Sequence, residues 1–126
     1  MPVTDQRGPW VISPSGKRWY ILDPRPEDFE IEDIAHNLSR LNRFNGAVDY
    51  TVAEHSLHVS RILTEVWGRP DLALQGLLHD ATEAVIGDIV SPLKTLLPEI
   101  KTIEDSLWTA ISSRFGLPLG LDPLVI

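Results

Sequence analysis

Apolar positions recur in two different ways along the chain. Up to about residue 30 they come in short runs, at 10–12 and 19–22, separated by Ser13-Pro14-Ser15-Gly16-Lys17. That spacer has the proline, glycine and hydroxyl residues of a turn, so the segment predicts a small β-hairpin. The same stretch also holds Pro2, Pro9, Pro14, Pro24 and Pro26, which sets it apart from the rest of the chain.

From Ile31 onward the period becomes helical. Ile31, Ile34, Leu38 and Leu41 recur at three- and four-residue steps, which predicts a short amphipathic helix ended by Asn45-Gly46. Thr51-Val52-Ala53-Glu54 reads as a capping box, in which the threonine oxygen takes an orphan amide and the glutamate reaches back. The helix it starts is expected to run to about Trp67, to bury Val52, Val59, Ile62, Leu63 and Val66, and to stop at Gly68. A third helix is expected from near Pro70 to Gly87, with Leu74, Leu77, Leu78, Ala81, Ala84 and Val85 on a wide apolar face. A short helical turn at 93–97 and a last helix over 99–115, striped by Ile100, Ile103, Leu107, Ile111 and Phe115, complete the pattern. The tail 117–126 shows no regular period, and no repeat divides the chain, so residues 1–126 are read as one domain.

Composition narrows the chemistry. A hydrophobic fraction of 43% in 126 residues is enough for one core, and the absence of cysteine excludes disulfides, thiolate-bound zinc, iron–sulfur clusters and a thiol nucleophile together. Any metal must therefore sit on histidine and carboxylate. A net charge of -7 opposes charge-driven binding to nucleic acid or to an anionic membrane. A small anionic substrate needs a local patch of positive charge, which Arg43, Lys94 and a bound cation can supply. No signal-peptide pattern and no membrane-length apolar run occur, so the expected location is the cytoplasm of a cell or of an infected host.

The helical pattern contains one anomaly. Leu77-Leu78-His79-Asp80-Ala81 sets two polar groups directly after a buried pair, and burying either unpaired is costly. A divalent metal resolves the cost, since neutral imidazole and ionised carboxylate are both ligands and the cation holds the aspartate ionised. A hydrogen-bonded pair within a metal-free helical domain resolves it as well. Glu83 falls three residues after Asp80, near the same helical face, and Asp88 follows the expected stop at Gly87. His55 lies in the first turn of the capped helix, while His58, three residues on, reads as an exposed side chain.

Four ordered motifs carry a resemblance. Ile31-Glu32-Asp33-Ile34-Ala35-His36-Asn37-Leu38-Ser39-Arg40-Leu41-Asn42-Arg43-Phe44, then Glu54-His55-Ser56, then His79-Asp80-Ala81-Thr82-Glu83, then Gly87-Asp88-Ile89-Val90-Ser91-Pro92-Leu93-Lys94, resemble the HD-domain phosphohydrolases. The similarity is greatest to the compact bacterial and phage branch that contains 5'-deoxynucleotidases and phage dATP triphosphohydrolases. It covers most of residues 31–115. The resemblance implies an all-α fold, an HD-domain helical bundle, to which the residue pattern adds the N-terminal hairpin. It implies His55, His79 and Asp80 as ligands of a divalent ion (Mn, Co, Zn, Mg or Fe). Glu83 and Asp88 would position or activate the attacking water, Arg43 and Lys94 would contact phosphate, and Phe44 would face the base or sugar. Family members also draw a further aspartate ligand from a later helix. Here Asp122, in a loop-like Leu-Asp-Pro context, is the one late carboxylate, so that position is expected to fall to Asp122, to water, to another subunit or to a longer protein.

The expected activity is hydrolysis of a deoxynucleotide, either as a 5'-nucleotidase on a monophosphate or as a triphosphohydrolase on a dNTP such as dATP. The alternative is a degenerate module that binds nucleotide or a partner without turnover. Trp67, Trp108 and the apolar tail suggest a homo-oligomer.

Overall fold

The computed structural model describes residues 4–125; Pro2 of the proline-rich segment and Ile126 at the end of the tail lie outside them. Strands β1 (Thr4–Asp5), β2 (Gly8–Ile12) and β3 (Arg18–Tyr20) form one antiparallel sheet in that order. β2 and β3 pair in the register Trp10 with Tyr20 and Ile12 with Arg18 across the expected turn. That turn is closed by Ser13 N donating to the Lys17 carbonyl at 2.8 Å. It is also tied to the helical part, because the buried Asp33 carboxylate accepts from the Ser15 amide at 3.0 Å and its hydroxyl at 2.6 Å.

The expectation of an all-α bundle carrying only a hairpin is not met. The chain is mixed, with about half of its described residues helical and a three-stranded antiparallel sheet packed on them. The third strand comes from Thr4–Asp5, which reverses onto β2 through Gly8 at φ 100. A two-residue strand has no alternation to read. It is held by side chains, since the Asp5 carboxylate accepts from Arg18 at 2.8 Å and from the Tyr20 hydroxyl, both on β3. The inward face of β3 supplies Trp19, fully buried and stacked on Phe29 at 5.8 Å, so the sheet is part of the core.

The helices are α1 (Ile31–Leu38), α2 (Val52–Arg61), α3 (Ala73–Leu78), α4 (Glu83–Ile86), α5 (Ser91–Lys94) and α6 (Pro98–Arg114). The capping box at α2 forms as read: Thr51 Oγ1 accepts from Glu54 N at 3.1 Å, and Glu54 Oε1 accepts from Thr51 N at 3.2 Å. Past Arg61 the helix widens into a π-type turn, Ile62–Val66, closed by Trp67 N to the Ile62 carbonyl at 3.0 Å. The wider turn shifts the phase of the apolar stripe. Leu63 stays buried, but Ile62 and Val66, expected inside, are 47% and 72% exposed.

The largest departure among the helices lies between Pro70 and Gly87. One helix was expected; a 3-10 turn (Pro70–Leu72), α3, a tight turn over 79–82 and α4 are found. Amides of Ala81, Glu83, Ala84 and Val85 all donate to the carbonyl three residues back, at 3.0 Å. His79 and Asp80 thus sit in an over-tightened break, not in mid-helix. At Gly76 α3 approaches both α2 and the π-type turn closely: a Cβ there would stand 3.2 Å from Val59 Cγ1 and 2.6 Å from Leu63 Cδ1. α1 is joined to α4 by Asn37 Nδ2 donating to the Ala84 carbonyl at 2.9 Å.

α6 buries Leu107 and Ile111 fully, as its stripe predicts. Trp108 is not a free surface residue: it packs on the core and its indole donates to the Leu119 carbonyl at 2.8 Å. Trp67 is exposed. The tail returns to put Val125 beside Leu63 and Leu72 in a small second core. Among the described residues, no helix is long and apolar enough to cross a membrane.

Candidate metal centre

The packing of α2 on α3 brings the two histidine-bearing segments together. His55 is set by the capping box, its amide donating to the Thr51 carbonyl at 3.0 Å. His79 is the residue at which α3 stops, and Asp80 opens the tight turn. One ligand atom from each of His55, His79 and Asp80 lies within 4.8 Å of the others. Asp80 Oδ2 is 3.1 Å from His79 Nε2 and 3.6 Å from His55 Nε2.

This donor set fits a divalent cation. His79 Nδ1 is 2.6 Å from the Gly76 carbonyl, so it carries the ring proton when the imidazole is neutral and leaves the Nε2 lone pair facing Asp80. Two imidazole nitrogens and a carboxylate oxygen are ligands for a borderline or hard divalent ion. The group His55, His79 and Asp80 can therefore hold a metal ion.

The local charges explain the titration of the group. Burial penalises the His79 cation, but the Asp80 carboxylate and the Gly76 carbonyl outweigh it and raise the pKa. His55 is lowered, first by burial and then by the Arg43 guanidinium, against the pull of Asp80. Burial raises Asp80, yet its hydrogen bond to His79 and the nearby imidazoles bring it below the usual carboxylate value. Glu83 is pushed up to about 9, by burial first and then by the charges of Asp80 and Asp88, whose carboxylates lie within hydrogen-bond reach. Three carboxyls share a small volume, and the most buried one keeps its proton.

Beside the group opens a cavity of about 340 Å³ lined by Arg43, Phe44, Asp80, Glu83, Asp88 and Lys94, among others. Every residue expected to act on substrate borders it. The loop that carries Arg43 and Phe44 is closed like a small hairpin, with Arg43 N donating to the Tyr50 carbonyl and Val52 N to the Leu41 carbonyl, both at 2.8 Å. Phe44 and Asn45 have φ of 56 and 55, a left-handed conformation that is costly for phenylalanine. In this conformation the Phe44 ring stands at the rim, 60% exposed, with the Arg43 guanidinium 5.2 Å from its centroid. Asp88 accepts from the Asn45 amide at 3.2 Å, which locks the loop to the segment after α4.

Some placements were not legible beforehand. Lys94 is paired with Glu104 of α6 at 3.0 Å, a partner ten residues away across a helix boundary that no local spacing marks. Tyr50 stands edge-on to His55 at 6.3 Å and stacks on His58 at 5.5 Å, its hydroxyl bonded to His58 Nδ1. His58 lies outside the ligand group. So does Asp122, whose carboxylate accepts from the Leu124 amide at 3.0 Å and shapes the tail.

No family model matches the chain. It is 42% identical over 121 residues to an uncharacterized protein of Rhodobacter capsulatus, an alignment covering 89% of this chain and 61% of that protein. It is 39% identical over 106 residues to the uncharacterized protein YfdR of Escherichia coli, covering 82% of this chain and 57% of YfdR. The chain thus spans less than two thirds of the length of the curated relatives it matches.

Proposed function

We propose that this chain hydrolyses phosphate esters of deoxynucleotides with the help of a divalent metal. The observation that carries the proposal is the His55–His79–Asp80 group at the wall of a cavity that also holds two cations and two further carboxyls. The motif resemblance to HD-type phosphohydrolases supplies the substrate class. A metal held there would contribute positive charge that polarises a phosphoryl oxygen and acidifies water.

The remaining work falls to side chains. Arg43 and Lys94 face the cavity and bind non-bridging phosphate oxygens, a task suited to charge-assisted donors. Glu83 and Asp88 sit on the same wall and relay protons: as water oxygen bonds to phosphorus, one takes the water proton. The ester P–O bond breaks, and the leaving oxygen receives a proton from the same pair. For Glu83 to act as the base it must first lose the proton that its surroundings favour, a loss that positive charge held at His55, His79 and Asp80 would favour. Phe44, held out at the rim, stacks on the base or sugar.

The charge of the cavity's own side chains supports one of the two deoxynucleotide reactions over the other. The cavity offers two basic side chains, and one of these, Lys94, is partly neutralised by Glu104. That suits a single phosphate dianion better than a triphosphate carrying about four charges. We therefore favour a monophosphate substrate. Incubation of the metal-loaded protein with deoxynucleoside mono- and triphosphates, with identification of the phosphate product, tests this. Inorganic phosphate from the monophosphate is expected; triphosphate release reverses the choice, and release of neither removes the hydrolase reading. Binding without turnover is the second reading, favoured by the count of only three side chains in the ligand group among the described residues.

A further inference from the structure

The two histidines are not equally prepared to act as ligands, and the difference lies at each ring's far nitrogen. His79 Nδ1 faces a carbonyl, that of Gly76, at 2.6 Å. His55 Nδ1 faces a guanidinium instead, with Arg43 Nη1 at 3.1 Å. A guanidinium only donates, so His55 Nδ1 must accept. In neutral His55 the single ring proton is then on Nε2, the nitrogen turned toward Asp80 at 3.6 Å. That tautomer cannot offer Nε2 to a metal.

We propose that Arg43 is a placeholder at the ligand group: it holds His55 in the non-ligating tautomer, and metal binding at His55 releases its guanidinium to the phosphate side of the cavity. The inference rests on reading His55, His79 and Asp80 as a metal group. The exchange balances. The imidazole is neutral before and after, its one proton passes from Nε2 to Nδ1, and Arg43 keeps its charge while losing an acceptor. The Arg43 backbone has no need to move, being pinned to Tyr50 by its amide at 2.8 Å, and the side chain already borders the cavity. A released guanidinium with unsatisfied donors is a site for phosphate. Metal and phosphate therefore assist each other through Arg43, and the assistance must be reciprocal. Arg43 is in this respect a positioning residue that acts on the metal through His55.

The test is titration of the full chain with Co²⁺, with and without inorganic phosphate, for the unmodified protein and for Arg43→Met. Without phosphate, R43M is expected to bind Co²⁺ about tenfold more tightly, the scale of one charge-assisted hydrogen bond no longer surrendered. Phosphate is expected to tighten Co²⁺ binding in the unmodified protein and not in R43M. Equal or weaker Co²⁺ binding by R43M overturns the placeholder role alone; no Co²⁺ binding by either protein overturns it together with the metal reading. A second measurement needs no variant. In ¹⁵N-histidine spectra, His55 is expected to carry its proton on Nε2 without metal and on Nδ1 with Zn²⁺, and a proton already on Nδ1 in the metal-free protein refutes the proposal.

Discussion

Replacing Glu83 by glutamine tests the electrostatics of the site apart from any catalysis. Glu83 is 8% exposed, and its pKa is raised from 4.5 to about 9. A carboxyl raised in this way is protonated in the folded chain while the unfolded chain ionises it, so its contribution to stability is full below pH 4.5 and is lost as pH rises toward about 9. At pH 7 the interval above 4.5, taken at about 1.4 kcal/mol per pH unit, gives a cost of about 3 kcal/mol. Glutamine has the shape of the neutral acid and cannot ionise. Glu83→Gln is therefore expected to be more stable than the unmodified chain by about 3 kcal/mol at pH 7, the gap shrinking below about 1 kcal/mol at pH 5. Urea denaturation at both pH values, with a chelator present, measures the difference. A gap that does not change with pH, or a variant less stable at pH 7, refutes the reasoning. Hydrolysis by the metal-loaded variant is expected to fall, since glutamine cannot relay a proton within the Glu83–Asp88 pair.

Other substitutions and conditions probe the remaining parts. His79, whose pKa lies above the ordinary histidine value through Asp80, must lose its proton to bind metal, whereas His55 is already biased toward neutrality. Metal affinity should rise with pH through the His79 pKa and then level off. Measured in the E83Q background, so that the carboxyl proton is not counted, Co²⁺ binding near pH 6 should displace more proton from His79 than from His55 in ¹⁵N-histidine spectra, and the reverse order would contradict the opposite shifts of the two rings. Gly76→Ala should destabilise the fold by about 1–3 kcal/mol in urea titration, because its methyl meets the buried Leu63 side chain at 2.6 Å and the gain in helix propensity is smaller. Phe44→Gly should relieve the left-handed strain and leave stability equal or up to about 1 kcal/mol higher. The same variant should raise KM for a deoxynucleotide while leaving KM for a phosphate ester without a ring unchanged.

Local signals were read well wherever a short-range interaction decides the outcome. The capping box at Thr51 and Glu54, the turn at residues 13–17, the start of α1 at Ile31 and the stop at Gly68 depend on neighbours within a few residues, and all were visible. That His55, His79 and Asp80 come together as a group able to hold a metal was legible for a different reason: two polar residues placed after Leu77-Leu78 need a partner, and the ordered motifs pointed to His55 as that partner. Errors arose where distant segments compete with local preference. The periodicity from Pro70 to Gly87 is that of one helix, yet packing against α2 and α1 compresses 78–85 into a series of three-residue hydrogen bonds. The π-type turn after Arg61 likewise moved Ile62 and Val66 outward without any breaker residue to announce it.

Part of this protein is therefore written in residue order: where helices α1 and α2 begin, that these 126 residues contain no cysteine, and which histidines and carboxylates carry the candidate site; helix ends were less legible, since α1, expected to run to Asn45-Gly46, stops at Leu38. The sheet at the N-terminus was only half visible, because a strand as short as Thr4–Asp5 exists through Arg18 and Tyr20 on a neighbouring strand and has no pattern of its own. The break that holds His79 and Asp80, the raised pKa of Glu83, the Lys94–Glu104 pair and the Arg43 contact to His55 were decided in three dimensions. Each depends on the dielectric and on charges brought close by α2, α3 and α6, and neither burial nor through-space distance is encoded in local spacing.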